Sequence, residues 1–479
     1  MMKYRSLLYG FLSVLLIGSG VVSCGSGSGE ATCNLVSNEG CGDGLVCQET
    51  QNGEPACYQA LLMSGTLTDA QNGLPIAGAR IVAVDANGAA VSDVVTTDAN
   101  GNYTLEVSAL RDANGNPVGK ITLKADAANY QPYPGIRTPF AIDLATAVKG
   151  DKGWLIDSSI ADLALNRLPV DAPGGRIQGS IQVPLDRSSV LVVAELKSGD
   201  ACPALPYSNC TAIATADGSY VIYNLPAGDY NVKGYVQGYN YAPVAVSLSD
   251  GQTATAGALN STNRNVGTLS GKVNIVNASL GDATSVILVL ESTLLQVNSG
   301  LYPEIPVLIR GAAVPGLRVG NVSGSFTFEG VPEGRYVILA AFEDDFLVRD
   351  PDFCQGGTEI IHQTLTEGQN INLDQAFKVT DALTNPDPDN NELVSSTPLF
   401  TWDDDSSEKY YAVTVLDAFG NLIWETEIPG FNNNAHLDYA GPALESGKYY
   451  QFNVLSIRES NEKCPISQTE DLQGTFQVQ

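Results

Sequence analysis

Histidine is nearly missing from this 479-residue chain: there are two, in His362-Gln363-Thr364-Leu365 and His436-Leu437-Asp438-Tyr439. Neither supplies the His-x-x-Glu ligand pair that hydrolytic zinc chemistry needs, so no metal centre is expected. The chain also lacks a Gly-x-Ser-x-Gly nucleophile elbow and a Gly-x-x-x-x-Gly-Lys-Ser/Thr phosphate loop. Carboxylates are plentiful, but nothing singles out two of them facing a cleft, so no catalytic residue and no cofactor is assigned. Cations are scarce, 25 Lys and Arg against 53 Asp and Glu, for a formal charge of −28. Such a surface repels phosphates, which excludes nucleic acid as a partner. Long helical periodicity is absent too, whereas a hydrophobic content of 44% rules out a largely disordered chain.

The amino end carries the first positive signal. Lys3 and Arg5 precede an apolar stretch from Leu7 to Val22, interrupted by Gly10, Gly18 and Gly20, and Val21-Val22-Ser23-Cys24 follows at once. Its 16 residues fall short of the roughly 20 of a membrane span, so it reads as a signal peptide over 1–23. The four-residue end resembles the bacterial lipobox, which implies acylation of Cys24, palmitate among the chains, and membrane anchorage through the lipid. More than one acyl chain makes such an anchor stable. Residues 24–32, with Gly25-Ser26-Gly27-Ser28-Gly29, form a flexible tether. Gly25, rather than aspartate, after the cysteine favours the outer membrane or cell surface.

Setting Cys24 aside leaves eight cysteines, an even number in an exported chain. Cys33, Cys41, Cys47 and Cys57 crowd a segment, 33–59, too short to build a core without staples. Zinc is the rival, but no Cys-x-x-Cys and no nearby histidine supports it, so two disulfides are expected. Cys202 and Cys210 bracket a Pro-containing loop and pair locally on this reading. Cys354 and Cys464 then remain for each other.

Beyond residue 60 short alternating apolar segments are separated by Gly, Pro, Asn and Asp, the pattern of an all-β chain. An internal repeat is visible at Gly101-Asn102-Tyr103, Gly218-Ser219-Tyr220 and Gly324-Ser325-Phe326. In two copies it continues at the same offsets, as Leu225-Pro226-Ala227-Gly228-Asp229-Tyr230 and Val331-Pro332-Glu333-Gly334-Arg335-Tyr336. The pattern predicts a tight turn, a strand with an inward aromatic, a Pro-x-Gly turn, and a second strand opened by Tyr. Tyr230, Val232 and Val236, like Tyr336, Ile338, Ala340 and Phe342, are expected to line one buried face. Each copy opens with a Gly in an extended segment, at Gly65, Gly179 and Gly271.

On these motifs the chain resembles the carboxypeptidase regulatory-like family of transthyretin-like sandwiches, also found as collagen-adhesin B-type repeats. The resemblance implies a non-catalytic accessory fold, and places copies at 60–147, 173–266 and 267–379 with a linker at 148–172. Residues 292–320 look like an inserted loop. The last stretch, 380–479, with Trp402, Tyr410-Tyr411, Trp424 and Tyr449-Tyr450, resembles a fibronectin type III module. The resulting fold class is tandem immunoglobulin-like or transthyretin-like β-sandwiches after a small disulfide-stapled module.

Two weaker signals accompany this. Asp98-Ala99-Asn100-Gly101-Asn102 and Asp112-Ala113-Asn114-Gly115-Asn116 look like calcium-loop fragments but lack the EF-hand's glycine and closing glutamate, so they read as turns. Lys272 and Asn372 stand where adhesin repeats carry an internal isopeptide crosslink.

The functional expectation is a cell-envelope protein for structural support or protein interaction, its sandwiches stacked into a stalk on the order of 100 Å long. Carbohydrate binding is the alternative, with Tyr130, Tyr133, Tyr239 and Tyr241 in Gly/Pro/Asn-flanked segments as glycan contacts. An accessory subunit of an envelope enzyme is a further one. The partners are therefore a membrane and an envelope protein or polysaccharide.

Overall fold

A computed structural model describes residues 33–479 apart from 52, 136–140, 157, 188, 199–201, 203–206, 209, 277–282, 299, 303–305, 342–345, 351–355, 406, 432–434 and 460–461. The signal peptide, Cys24, the tether, Phe342 and Cys354 lie outside the described residues. Among these residues no helix is long and apolar enough to cross a membrane.

The three repeat copies share one ladder. In each, an opening strand pairs antiparallel with the strand carrying the repeat aromatic, and parallel with a later strand. Leu61–Asp69 lies between Asn102–Val107 and the pair Trp154–Ile156 and Leu163–Leu165. Gly175–Ser180 lies between Ser219–Leu225 and Thr253–Thr255. Gly267–Ile275 lies between Ser325–Val331 and Asn370–Asp381. A second sheet packs on each, built around Arg80–Asp85 with Lys120–Asp126, Leu191–Leu196 with Gly228–Tyr235, and Thr284–Leu290 with Gly334–Ala340.

This topology corrects the reading of 148–172 as linker. Trp154–Ile156 and Leu163–Leu165 supply the parallel strands of the first sandwich, and Ile156, Leu163 and Leu165 enter its core. Only the stretch around Val170, fully exposed, remains to bridge to the next copy.

The ladder also explains the repeat. Gly65 stands opposite Tyr103, Gly179 opposite Tyr220, and Gly271 opposite Phe326. In the second and third copies the missing side chain makes room for the aromatic ring opposite, whereas over Gly65 the space is taken by Ala161, whose carbonyl accepts from the Tyr103 hydroxyl. Over Gly271, the Phe326 ring occupies the space a Cβ would need. The Pro-x-Gly turns close in the same way twice. The Tyr230 hydroxyl donates to the Pro226 carbonyl at 2.7 Å, and the Tyr336 hydroxyl donates to the Pro332 carbonyl at 2.8 Å. Both rings are fully buried, so each hydroxyl needs that acceptor. Tyr336→Phe is therefore expected to cost about 1 kcal/mol in urea denaturation, the net worth of one buried hydrogen bond, with the fold unchanged.

One expected alternation fails in the third sandwich. Tyr336, Ile338 and Ala340 face the main core, but Val337 and Leu339 are buried as well, with Ile287, Val289 and Ala313. The inserted segment explains this, because Leu294 and Ala313 from within it cover the outer face of the sheet. A strand buried on both faces has no polar side to alternate with.

The carboxyl-terminal unit is a six-stranded sheet around Tyr410–Asp417 and Tyr449–Glu459, faced by the two-stranded pair Leu399–Trp402 and Ala435–Asp438. Phe400 stacks on Phe452 at 4.4 Å between ring centroids, and Trp402 meets Tyr411 edge-on at 5.2 Å.

The sandwiches do not run out as a stalk. Between the first and second, Arg80 Nη2 donates to the Ile213 and Ser219 carbonyls, both at 3.2 Å, and Asn224 donates to the Tyr130 carbonyl at 2.9 Å. The second and third share an apolar cluster that joins Leu191, Val193 and Tyr235 to Leu288 and Tyr336. The third meets the last unit where Leu383 N donates to the Gln468 carbonyl at 2.9 Å and Phe346 N to Glu470 at 3.0 Å. The last unit then returns to the first. Phe419 packs edge-on against Tyr133 at 5.5 Å, Lys120 pairs with Asp389 at 3.5 Å, and Asn391 donates to the Ala141 carbonyl. The four units form a closed block, which corrects the expectation of an extended array.

Candidate functional site

The amino-terminal module is stapled by Cys33–Cys47 and Cys41–Cys57, with Cα separations of 5.7 and 5.5 Å. Cys202–Cys210 closes its loop at 5.8 Å. Cys464 is disulfide-bonded, and its candidate partner Cys354 lies outside the described residues.

Of the four candidate glycan tyrosines, two are interior, and their role as sugar contacts is withdrawn. Tyr133 is 4% exposed, in the first core and against Phe419. Tyr241 is 0% exposed, and its hydroxyl donates to the Gln182 carbonyl at 2.6 Å. Each is amphipathic enough to sit inside once its hydroxyl or edge finds a partner. Tyr130 and Tyr239 are partly exposed but engaged. Tyr130 donates to Asp69 at 2.9 Å, and Arg167 Nε donates to the same carboxylate at 2.5 Å. Tyr239 donates to Asp186 at 2.6 Å while Arg264 covers its ring at 4.4 Å.

The calcium-like loops are turns. Asp98 Oδ1 accepts from the backbone of Asn100 and Asn102, and Asp112 Oδ1 from Asn114 and Asn116, all at 2.8 Å. The backbone amides of Asn102 and Asn100 hold the Asp98 carboxyl below the usual carboxylate range, and the Asn116 side chain, followed by its backbone amide, does the same for Asp112. Lys272 stands opposite Ala376 rather than Asn372, which pairs with Ser270, and both side chains are exposed rather than held together in the interior.

The second of these turns presents a residue that the sequence did not single out. Arg111 is 0% exposed where the disulfide module meets the first sandwich. Its Nε donates to Gln48 Oε1 at 2.5 Å, Nη2 to the Gln59 carbonyl at 3.0 Å and Nη1 to the Gly115 carbonyl at 3.3 Å. The guanidinium also lies 5.1 Å from the Tyr58 ring centroid. A lone Arg beside Leu110 gives no sequence signal of such a role.

A concave site of the block lies where the first three sandwiches meet. It is a cavity of about 130 Å³, lined by Lys124 and Asp126 from the first, Cys210 and Thr211 from the second, and Thr293 and Arg310 from the third. Strand Lys120–Asp126 sends Ile121, Leu123 and Ala125 into its own core, so period two turns Lys124 and Asp126 outward into the junction. Burial pushes the Asp126 carboxyl up to about 6, against the pull of Lys124 and Arg80. Burial and then repulsion from Arg310 push the Lys124 amine down, against Asp126 and Asp85.

The raised Asp126 value carries a pH dependence. Between about pH 4 and 6 the folded chain retains a proton that the unfolded chain has released, so this group's contribution falls as pH rises through that window. Asp126→Asn is expected to remove about 2 kcal/mol of that pH-dependent loss. Urea titrations at pH 4 and 6.5 check it, and an unchanged slope in the variant would contradict it.

The class these observations define is an all-β chain of tandem immunoglobulin-like or transthyretin-like sandwiches behind a disulfide-stapled module. No family model matches the chain, and no curated protein sequence matches it. Among solved structures it is similar to the TIE protein of Bacillus anthracis at 13% identity and a TM-score of 0.16, over 86% of this chain and 72% of that one. It is similar to two B repeat units of the collagen-binding protein of Staphylococcus aureus at 10% identity and a TM-score of 0.17, over 88% and 99%. The major pilin subunit of Bacillus cereus gives 11% identity and 0.17, over 67% and 99%. Superpositions this loose carry no argument, and the fold rests on the chain's own strands and registers.

Proposed function

We propose that the chain is a non-catalytic cell-envelope lipoprotein, acylated at Cys24, that presents a closed block of sandwiches at the outer membrane or cell surface for structural support or protein interaction. The observation that carries this reading is where the repeated residues are spent. The glycines make room for a ring at Gly179 and Gly271 and for Ala161 at Gly65, the aromatics fill cores, and the turn tyrosines close onto proline carbonyls. A repeat whose shared residues all serve packing supports a scaffold, while what differs between copies is left for recognition. The acidic surface suits an exported, soluble body.

The test is fractionation after metabolic labelling with a palmitate analogue. The wild-type chain is expected to take up label and to sediment with outer membrane, and Cys24→Ser to lose the label and become soluble. An unlabelled wild-type chain whose distribution Cys24→Ser leaves unchanged would sink the anchor. Saturable polysaccharide binding that depends on Tyr239 would move the assignment to carbohydrate recognition.

A further inference from the structure

The three-sandwich junction contains a charge that the fold leaves unanswered. Lys124 has no hydrogen bond and no ion pair within 4.0 Å among the described residues, although it faces a cavity inside the block. Arg310 lines the same cavity with its side chain 10% exposed, and its ion pair to Asp471 is long, at 3.9 Å. Half-buried Lys124 thus shares the site with a second cation, and a cation withdrawn from water without a close counter-charge, as Lys124 is, is costly. Asp126 lies beside Lys124 on the same strand face and lines the same cavity as Arg310, yet makes no ion pair with either within 4.0 Å. The nearby Asp85 is engaged by Arg318 at 4.0 Å.

We propose that this cavity is a binding site for a small oxyanion, a carboxylate or a phosphate, held between Lys124 and Arg310. A site of about 130 Å³ has room for a group of this size. Chemistry sets the sign, because a planar guanidinium and an ammonium together match the oxygens of such a group. Because the lining comes from three sandwiches, the anion ties them together and stabilises the closed block by mass action.

The experiment uses the full chain purified in detergent, with sodium acetate and sodium phosphate as separate probes and sodium chloride at matched ionic strength as control. Melting temperature and calorimetric binding are read for the wild type, Lys124→Met and Asp126→Asn. The expected result is a saturable rise in melting temperature with at least one probe, an affinity at least tenfold weaker in Lys124→Met, and a tighter one in Asp126→Asn. Acetate-only binding assigns a carboxylate and phosphate-only binding a phosphate. No saturable rise beyond chloride overturns the proposal, as does equal binding by wild type and Lys124→Met. Should Lys124→Met fail to fold, Asp126→Asn decides alone: unchanged or weaker binding there overturns the site.

Discussion

Arg111→Ala is expected to lower stability by about 3–4 kcal/mol and to loosen the disulfide module from the first sandwich. The side chain is wholly buried and ties Gln48 and the Gln59 carbonyl, both in the disulfide module, to the Gly115 carbonyl of its own turn. Truncation leaves those acceptors without their donor and a void between the Tyr58 and Trp154 rings. The module has two short strands and two staples, and apart from this side chain it is joined to the sandwich by the backbone bonds Arg111 N to the Glu49 carbonyl and Gln51 N to the Arg111 carbonyl, both at 2.9 Å, which alanine keeps. Limited proteolysis should show new cleavage between residues 48 and 60 before any in the sandwiches. Lysine at this position should recover little, because one ammonium cannot reproduce the fork of donors. A loss below about 1 kcal/mol, with no new cleavage, would show that the guanidinium is incidental to the junction.

Gly179→Val is expected to cost about 2–3 kcal/mol. A Cβ at this position would meet the Tyr220 hydroxyl oxygen at 2.5 Å and its ring carbon at 2.8 Å. Tyr220 is itself 1% exposed within the second core, so the ring has no free space to retreat into. The mechanism makes a second claim: shortening the ring should relieve the clash. In a double-mutant cycle, Gly179→Val with Tyr220→Leu should be more stable than the sum of the two single losses predicts. Additive losses would mean that the glycine serves the backbone rather than the ring.

What could be read from the sequence was local. The Gly-x-aromatic turns and the Pro-x-Gly-x-Tyr segments place cause and effect within a few residues, so their spacing announces the hairpins before any tertiary contact is known. The parallel strands Trp154–Ile156 and Leu163–Leu165 were missed because they are short and pair with Leu61–Asp69, some ninety residues earlier. No local pattern records a partner that distant. The junction was missed for a related reason. Lys124 and Asp126 look like the wet side of an alternating strand, which they would be if no second and third sandwich covered that face. One signal was present: Val82 and Val84, on the supposed outer face of Arg80–Asp85, are apolar where an exposed face calls for polar residues. The same holds for Thr284–Leu290, seven residues buried on both faces. Tyr133 and Tyr241 misled because Gly, Pro and Asn neighbours indicate a turn but not which way its side chains point.

The central claim is that four sandwiches close on one another, joined at the far ends by Phe419 on Tyr133 and by Lys120 with Asp389. Small-angle X-ray scattering from the soluble chain tests it most directly. A closed block of this length should give a radius of gyration of about 22–25 Å, with a single-peaked distance distribution. A value of about 30 Å or more, with a long tail extending past about 100 Å, would mean an extended array and would contradict the account.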